Sequence, residues 1–516
     1  MDGSKRVQSA FGRGVGRICA VAAGRTSAQM AAQVCAGVRQ TPTIELRLDW
    51  LKSDQERASF LRWLKKNRPR NATFIATCRR RAGGGKFRGS VSAELRWLSL
   101  ARGAGCVWSD LEIESTRSLT SARLAACELP RVLLSHHDFR RTPPLSRISE
   151  SRRSLAADAI KVAAQARTIA DSVRLMRLPL TPKNSHGNCV AVPMGEVGLP
   201  ARILALREGS ALAYAPIDEQ TAPGQVSLNE LKNLYRAHQL NGSTRVFGVI
   251  GDPIAHSLSP LLHNTGFIAA KLNAVYLPFL VKKLRDFLQA ACDFGIRGFS
   301  VTLPHKTAIL KYLEECHPLA EKIGAVNTVT VPPNGSLFGC NTDYVGVLRS
   351  LEKRLNLAKS RVLILGAGGS ARAVAVALTH AGAAVAICSR RSHAAQALAK
   401  AVDGAAMPRS ALRHQVFDAI VNATPVGMHP HVAISPLTAS ELNCRIVMDL
   451  IYHPQQTQLL KLAARQGIAT ISGVEMFLAQ GIAQWEMWTK RRAPTAAMRR
   501  AVLRTLDGEL SRQAAR

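Results

Sequence analysis

The amino-acid sequence predicts an α/β protein in which a closed parallel barrel precedes a two-domain α/β unit. In the first half, eight short apolar or β-branched runs alternate with helix-like segments. A polar stretch at 237–245 then separates this pattern from a new strand at 246–250. In the second half, a buried strand turns through a glycine-rich loop into an alanine-rich helix. A chain of 516 residues is also too long for one ordinary domain, which favours two large parts.

The eight apolar runs of the first half have the length of buried strands. Helix-like segments between them include 27–38, 55–66, 92–102 and 164–176. Strands that alternate with helices build a parallel sheet, and eight repeats indicate a (β/α)8 TIM barrel. Catalytic residues in such barrels lie at the C-terminal ends of the strands. The predicted strands are 18–23, 43–48, 73–78, 106–111, 131–135, 159–163, 189–193 and 211–215.

Composition and charge exclude several classes of protein. The 69 Lys and Arg against 35 Asp and Glu give a net charge of +34, but the basic residues are scattered and aromatic residues make up only 5%. This disfavours a dedicated nucleic-acid-binding protein. The most apolar stretch, 362–387, is broken by Arg372 and His380, so no membrane span is predicted. Eleven cysteines without a CxxC pair indicate neither a disulfide framework nor a thiolate metal site, and no metal is expected.

The first 15 residues contain no apolar signal core, and they are predicted to be an N-terminal extension. Together with the cysteine pattern, this favours a cytoplasmic location. The sequence does not determine the oligomeric state.

Polar residues in the predicted barrel strands mark a candidate site. Lys161 lies within an apolar run, where it is either an edge-strand lysine whose head reaches water or a desolvated amine that attacks a ketone. His136 and His137 end the fifth strand, where an imidazole can supply a base. Glu45 and Arg47 lie on the same face of the second strand, for which an ion pair is the common explanation.

Together these positions resemble those of a type I 3-dehydroquinate dehydratase over residues 16–240, with matching motifs at 44–49, 77–79, 135–139, 159–161 and 222–225. The resemblance implies that Lys161 forms a Schiff base with the ketone of 3-dehydroquinate. It further implies that His137 removes the acidified proton and helps water leave, and that Glu45 orients or tunes the histidine. The implied substrate-binding residues are Arg47, Arg79, Arg202, Thr221 and Gln225, with Arg202 as the carboxylate anchor.

Two positions depart from that family's pattern. Gly83 stands where the family usually has an acidic residue, and Thr221 stands where a serine is common. Neither change removes the lysine or the histidine.

The second half contains a dinucleotide-binding fingerprint in its proper context. The strand 361–365 turns through Gly366, Gly368 and Gly369 into a helix that begins with Ser370 and Ala371. Such glycines let the backbone approach a pyrophosphate at the helix N-terminus. The next strand ends in Ser389, Arg390 and Arg391 instead of the acidic residue that binds a free ribose 2′-hydroxyl. Guanidinium groups there favour a 2′-phosphate, so NADP is predicted over NAD.

Residues 246–508 resemble shikimate dehydrogenase through motifs at 251–260, 301–306, 324–328, 341–343, 422–424 and 449–452. The resemblance implies a catalytic pair of Lys306 and Asp343, which by spacing alone is equally compatible with a surface ion pair. It adds Thr424 and Gly473 to the cofactor site. The implied substrate-binding residues are Ser257, Ser259, Thr302, Asn327, Tyr452 and Gln480.

The expected architecture is therefore a barrel at 16–240, a substrate-binding domain at 246–345, a Rossmann NADP-binding domain at 346–475 and C-terminal helices at 476–508. The expected function is a bifunctional enzyme that dehydrates 3-dehydroquinate and then reduces 3-dehydroshikimate to shikimate with NADPH. Its expected partners are these small molecules, not nucleic acid or a membrane. Two alternatives remain: a catabolic quinate/shikimate dehydrogenase that uses NAD, and a basic regulatory protein that retains the folds.

Overall fold

The computed structural model describes residues 16–117, 119–144, 157–180, 188–217 and 226–514. They form two compact units, one comprising the described residues up to Arg245 together with Pro278–Gly295, and the other Val246–Leu277 together with the described residues from Ile296 onward. Within the described ranges, no helix combines the length and the apolar character that crossing a membrane requires.

The first unit contains a nearly closed barrel of parallel strands. The strands are β1 (Ile18–Ala22), β2 (Thr43–Arg47), β3 (Thr73–Thr77), β4 (Trp108–Glu112), β5 (Arg131–Asp138), β6 (Ala159–Gln165), β7 (Cys189–Met194) and β8 (Ala213–Pro216). Their order is β7-β6-β5-β4-β3-β2-β1-β8, with every neighbouring pair parallel. The N–H of Ala211 donates to the carbonyl of Cys189 at 2.9 Å, which brings the two edge strands together. The predicted α/β barrel is confirmed.

Helices follow the strands as the alternating pattern requires. They are α1 (Ser27–Val38), α2 (Asp54–Asn67), α3 (Val91–Gly103), α4 (Ile113–Thr116), α5 (Ser121–Ala126), α6 (Ile169–Met176) and α7 (Leu199–Leu204). Thr26 and Gln29 form a capping box that fixes the start of α1. The predicted helix at 164–176 begins only at Ile169, because Ala164 and Gln165 extend β6 and pair with β7.

The barrel interior is filled by the side chains that point inward from the lower part of each strand. One buried apolar cluster includes Ile75, Trp108, Leu133 and Ala159, from four consecutive strands. Because side chains alternate along a strand, the residues two positions further toward each C-terminal end point into the same interior. Those residues are Thr77, Asp110, Ser135 and Lys161, so a polar layer lies directly above the apolar one.

The second unit begins with a mixed sheet. Its strands are β9 (Arg245–Gly251), β10 (Ala274–Leu280), β11 (Ile296–Val301), β12 (Glu315–Cys316), β13 (Thr328–Thr330) and β14 (Phe338–Cys340), in the order β10-β9-β11-β13-β14-β12. β9 and β11 are parallel, whereas β13 is antiparallel to both of its neighbours. The helices of this part are α8 (Ser259–Ala269), α10 (Pro318–Ile323) and α11 (Thr342–Leu351), whereas α9 (Leu284–Phe294), which follows β10 in the chain, belongs to the first unit.

A second six-stranded sheet follows in this unit, and each of its neighbouring pairs is parallel. Its strands are β15 (Arg361–Leu365), β16 (Ala384–Cys388), β17 (Ala405–Ala406), β18 (Phe417–Asn422), β19 (Cys444–Asp449) and β20 (Ala469–Ile471), in the order β17-β16-β15-β18-β19-β20. The chain order reverses beside β15, and ligands bind at such a switch point. The helices between its strands are α12 (Gly369–His380), α13 (Ser392–Ala401) and α14 (Gln458–Arg465). Two further helices follow β20, namely α15 (Gly473–Thr489) and α16 (Thr495–Ala514).

Candidate active sites

Lys161 lies in the polar layer of the barrel, where its ammonium group is held by two carboxylates. Its Nζ is 2.5 Å from Oδ2 of Asp110 and 3.2 Å from Oε1 of Glu45. It also lies 4.2 Å from the centre of the Tyr214 ring. Only 4% of Lys161 is exposed, so it is not a lysine that reaches water from an edge strand.

The carboxylates around Lys161 are strongly influenced by their neighbours. Burial alone raises the pKa of Asp110, but the adjacent Lys161 and Arg79 hold that pKa well below its usual range. Burial likewise opposes the charge of Glu45, but Lys161 together with Arg47 and Arg79 outweighs the effect of burial, so the pKa of Glu45 is lowered. Both groups are therefore carboxylates at neutral pH and available as acceptors for the protons of Lys161.

His137 lies on β5 beside Lys161 on β6. Ser135 is the register partner of Lys161, and His137 lies two residues further along the same face of β5. The His137 Nδ1 atom is 3.0 Å from both carboxylate oxygens of Glu112. Glu45, predicted to orient this histidine, instead accepts hydrogen bonds from Lys161 and from Thr77 at 2.8 Å. The prediction was wrong because β4, which carries Glu112, is the direct neighbour of β5.

The ionisation of His137 reflects competing groups. Burial lowers the pKa of His137, the positive charge of Arg79 adds to that effect, and Glu112 opposes it; the net pKa is lowered. The same histidine and Arg79 outweigh the burial of Glu112 and lower the pKa of Glu112 to about 2. A neutral imidazole facing an ionised carboxylate is the state that a general base requires.

The three predicted barrel arginines occupy different places. Arg47 forms a bidentate pair with Asp49, at 2.9 and 2.8 Å. Arg79 donates to Asp110 at 2.9 Å and to Glu112 at 3.1 Å. Arg202 is buried on α7 and donates from Nε to the carbonyl of Pro193 at 2.9 Å.

Desolvation lowers the pKa of Arg202 to about 10, which leaves it positively charged at neutral pH. A buried, charged guanidinium is suited to an anionic group of a ligand. Thr221 and Gln225, also predicted to bind substrate, lie outside the described residues.

In the second unit, the predicted substrate residues converge on one cavity of about 380 Å³. The lining residues come from β9 and β11, from the loops that follow β9, β11 and β19, from Asn327 just before β13, and from α8, α11, α12 and α15. The structure brings together every substrate or catalytic residue predicted for this unit: Ser257, Ser259, Thr302, Lys306, Asn327, Asp343, Tyr452 and Gln480. Ser370 and Gly473, predicted to bind the cofactor, line the same cavity.

Lys306 and Asp343 form a pair within this cavity. The Lys306 Nζ atom lies 2.7 Å from Oδ2 of Asp343, and the amide of Asn327 donates to Oδ1 of the same carboxylate at 2.8 Å. Asp343 is thus fixed from two sides, while 31% of the Lys306 side chain remains exposed. The lysine can therefore contact a molecule bound in the cavity, and it is not an isolated ion pair on the protein surface.

The glycine-rich loop after β15 has the geometry of a dinucleotide cradle. Gly366 has a φ of +112°, and a Cβ there would lie 3.1 Å from the carbonyl oxygen of Ala423 and 3.2 Å from Cγ2 of Thr424. At Gly368 and Gly369, by contrast, no described atom apart from the adjacent residues and the backbone of α12 itself lies within 4 Å of the Cβ position. The backbone at the start of α12 is therefore open to close approach by a phosphate.

The other predicted cofactor residues surround this loop. Ala371 is buried in α12, whereas Arg390 and Arg391 are exposed after β16. The hydroxyl of Ser389 donates to the carbonyl of Arg391 at 2.8 Å, which shapes this turn. An exposed pair of guanidinium groups beside the cradle fits the 2′-phosphate of NADP.

Family models match both halves of the chain. The model of type I 3-dehydroquinase matches residues 18–241, that of the shikimate dehydrogenase substrate binding domain matches 249–329, and that of the shikimate 5′-dehydrogenase C-terminal domain matches 473–503. The chain is also similar to a chloroplastic bifunctional 3-dehydroquinate dehydratase/shikimate dehydrogenase of Arabidopsis thaliana. The two are 34% identical over 479 residues, which cover 87% of this chain and 78% of the relative.

The chain belongs to the bifunctional 3-dehydroquinate dehydratase/shikimate dehydrogenase family. The second half of this bifunctional enzyme is also similar to proteins named shikimate dehydrogenase (NADP(+)). One, from Methanothermobacter thermautotrophicus, is 39% identical and another, from Bacillus cereus, is 40% identical; these matches cover 52% and 51% of this chain and 99% of each relative. The family predicted from the sequence motifs is confirmed.

Sequence analysis of this bifunctional enzyme missed four polar residues of the barrel interior: Asp110, Glu112, Ser135 and Tyr214. A signal for the first two was present, because two acidic residues spaced two apart within a buried strand point to the same face. In the second unit it missed Ser300 and Gln484, which line the cavity and hydrogen-bond to each other at 2.9 Å.

Proposed function

We propose that this bifunctional enzyme dehydrates 3-dehydroquinate to 3-dehydroshikimate at Lys161 and reduces that product to shikimate with NADPH at Lys306 and Asp343. The observation that carries the first assignment is the buried Lys161 amine beside His137. The second assignment rests on the Lys306–Asp343 pair facing the cavity that Ser370 and Gly473 also line.

Dehydration in the barrel begins with Lys161. Its ammonium gives up a proton, for which Asp110 is the nearest acceptor at 2.5 Å, and the freed lone pair attacks the ketone carbon. The carbonyl oxygen takes one proton from the lysine nitrogen and the proton held by Asp110 and leaves as water, and the C=N bond that forms carries a positive charge. This iminium acidifies the adjacent C–H bond.

His137 completes the elimination. Its neutral ring nitrogen takes the adjacent proton, and the C–H electron pair moves into the carbon skeleton as the iminium becomes an enamine. The neighbouring hydroxyl then leaves as water with a proton returned by the imidazolium of His137. Hydrolysis of the resulting iminium releases 3-dehydroshikimate and restores Lys161.

Reduction in the second unit needs a hydride, which NADPH supplies when bound. Lys306 donates a proton to the oxygen of the ketone, and Asp343, held by Asn327, orients the lysine. The ring hydroxyls and carboxylate of the substrate are assigned to the hydroxyl, amide and phenol groups around the cavity. These groups belong to Ser257, Ser259, Thr302, Tyr452 and Gln480.

NADP rather than NAD is assigned because guanidinium groups, not a carboxylate, follow β16. This choice disfavours the catabolic, NAD-dependent quinate dehydrogenase. The polar networks around Lys161 and Lys306 disfavour a regulatory protein without catalysis, because each places a lysine beside a carboxylate that can exchange a proton with it.

The assignment extends to organisation and location. We place the barrel at 16–240, the substrate-binding domain at 246–345, the Rossmann domain at 346–475 and the returning helices at 476–508. We also place the enzyme in the cytoplasm, with small molecules of the shikimate pathway rather than nucleic acid or membranes as its partners.

Borohydride trapping tests the barrel chemistry. Protein incubated with 3-dehydroquinate and sodium borohydride should gain a reduced adduct on the peptide that contains Lys161, and Lys161→Ala should gain none. An adduct on another lysine, or no adduct while dehydration proceeds, would refute the Schiff base at Lys161. For the second site, NADPH oxidation with 3-dehydroshikimate should disappear in Lys306→Ala but persist in Lys161→Ala.

A further inference from the structure

Glu112 is a buried carboxylate to which the sequence resemblance assigned no role. Its two oxygens accept from Nδ1 of His137 at 3.0 Å, and Oε1 also accepts from the backbone N–H of that residue at 3.1 Å. Oε2 accepts from Nε of Arg79 at 3.1 Å and lies 2.9 Å from the hydroxyl of Ser135, whose single proton is shared with Asp110. The carboxylate therefore has several donors and a fixed orientation.

This arrangement determines which nitrogen of His137 is available for chemistry. A carboxylate only accepts hydrogen bonds, so Nδ1 must carry the proton that it donates to Glu112. The lone pair of the neutral imidazole is then on Nε2. A histidine whose other nitrogen is held by a carboxylate is fixed in both tautomer and ring orientation.

Gly83 provides the space that Glu112 occupies. A Cβ atom at position 83 would lie 3.2 Å from both Cγ and Cδ of Glu112 and 3.4 Å from Cγ of Arg79. Distances of this kind require a neighbour to move, so a larger residue at 83 and the present conformation of Glu112 compete for one space. The glycine at position 83 therefore leaves room for Glu112 in its present conformation.

We propose that Glu112 is the positioning residue of the dehydratase site, which holds His137 as the Nε2 base while Gly83 leaves room for it. The proposal rests on the proposed function, because it presupposes that His137 removes a proton from the Lys161 adduct. Glu112 acts through the histidine and does not itself contact substrate. It is distinct from Glu45 and Asp110, which contact Lys161.

The test uses Glu112→Gln in the full-length enzyme, with Glu114→Gln as the matched control. Glu114 is the nearby carboxylate that lies 3.5 Å from Nδ1 of the other histidine, His136. Dehydration is measured as kcat and kcat/KM between pH 5 and 9. Borohydride trapping with 3-dehydroshikimate measures adduct formation at Lys161 without the proton-abstraction step.

We expect Glu112→Gln to lower kcat for dehydration by at least about 10-fold, with KM and the amount of trapped adduct nearly unchanged. The groups around His137 are Arg79 and Lys161, which lower its pKa, and Asp110 and Glu112, which oppose them. Loss of the Glu112 charge therefore moves the acid limb of the kcat/KM profile to lower pH, by about 1 unit or more. Glu114→Gln should leave kcat and the acid limb as in the wild type.

A wild-type kcat and an unmoved acid limb in Glu112→Gln would overturn the proposal. So would equal losses of kcat and trapped adduct, since they indicate a general disturbance of the barrel. If the Gln variant does not fold, Glu112→Asp serves instead. This variant keeps the negative charge but moves it away from Nδ1 of His137. It should lower kcat for dehydration and leave the amount of trapped adduct unchanged. A wild-type kcat would again contradict the proposal. Failure of the wild type to form any adduct would count against the proposed function, not against Glu112.

Discussion

Replacing Lys161 by methionine tests whether the buried charges of the barrel depend on one another. The substitution removes the ammonium that lies 2.5 Å from Asp110 and 3.2 Å from Glu45, and it keeps most of the side-chain volume. Both carboxylates stay buried, and Asp110 retains Arg79 and Ser135 as donors. Dehydration should be lost because no amine remains to attack the ketone.

The magnitude follows from leaving a buried pair without one partner, which costs about 3–5 kcal/mol. In the wild type, Asp110 and Glu45 have lowered pKa values, so their contribution to stability is complete above the unfolded values and is lost only in acid. In the variant, burial is no longer opposed by Lys161, and we expect the pKa values of these groups to rise above their unfolded values. An acidic group whose pKa in the folded state lies above its unfolded value contributes less to stability as the pH rises. The deficit, meaning the loss of unfolding free energy that Lys161→Met causes relative to the wild type, should therefore be larger at pH 8 than at pH 5.

Hydrogen–deuterium exchange under increasing urea, read on peptides that contain β4 and β6, measures the opening free energy of the barrel itself. Dehydrogenase activity in the same preparation shows that the second unit is intact. The double variant Lys161→Met/Asp110→Asn is the control, because removing one of the two carboxylates should recover part of the deficit at pH 8. A Lys161→Met deficit below about 1 kcal/mol, or one equal at pH 5 and pH 8, would refute the reasoning.

Three other substitutions probe the remaining assignments. Lys306→Ala should lower kcat for reduction by about 10²- to 10⁴-fold while dehydration stays at the wild-type rate, and a parallel loss of both activities would contradict separate sites. Arg390→Ala combined with Arg391→Ala should lower the ratio of kcat/KM for NADPH to that for NADH by at least about 10-fold, and an unchanged ratio would place the 2′-phosphate elsewhere. Arg202→Lys keeps a charge but not the bidentate fork, so KM for 3-dehydroquinate should rise at least about 10-fold, whereas an unchanged KM would remove this residue from the carboxylate site.

The sequence predicted the elements of the barrel because its strands have strong local signals. All eight predicted runs contain the observed strands or overlap them, since buried β-branched runs between helices have few alternative structures. The error at Ala164 and Gln165 concerns a boundary, where the small, apolar residues of β6 continue the strand for two further pairs. Local composition does not distinguish such an extension from the start of a helix.

The candidate sites were predictable to different extents. The predicted substrate and catalytic residues of the second unit were identified by motif, and the structure brings them together in one cavity, whereas Ser300 and Gln484, which also line it, were missed. The partner of His137 was not predictable in the same way. Alternation along a strand shows that Glu45 and Glu112 both face the interior, but only the strand order makes Glu112 the neighbour of the histidine. Which of two inward carboxylates meets a given side chain depends on tertiary pairing.

The central claim is that one chain performs two consecutive reactions at separate sites. The most direct test adds 3-dehydroquinate to the purified enzyme, follows the absorbance of the conjugated product, and then adds NADPH. The account predicts product formation without cofactor, followed by NADPH oxidation, with NADH a poor substitute. No absorbance change with 3-dehydroquinate, or a conjugated product that forms and is reduced with neither NADPH nor NADH, would contradict it.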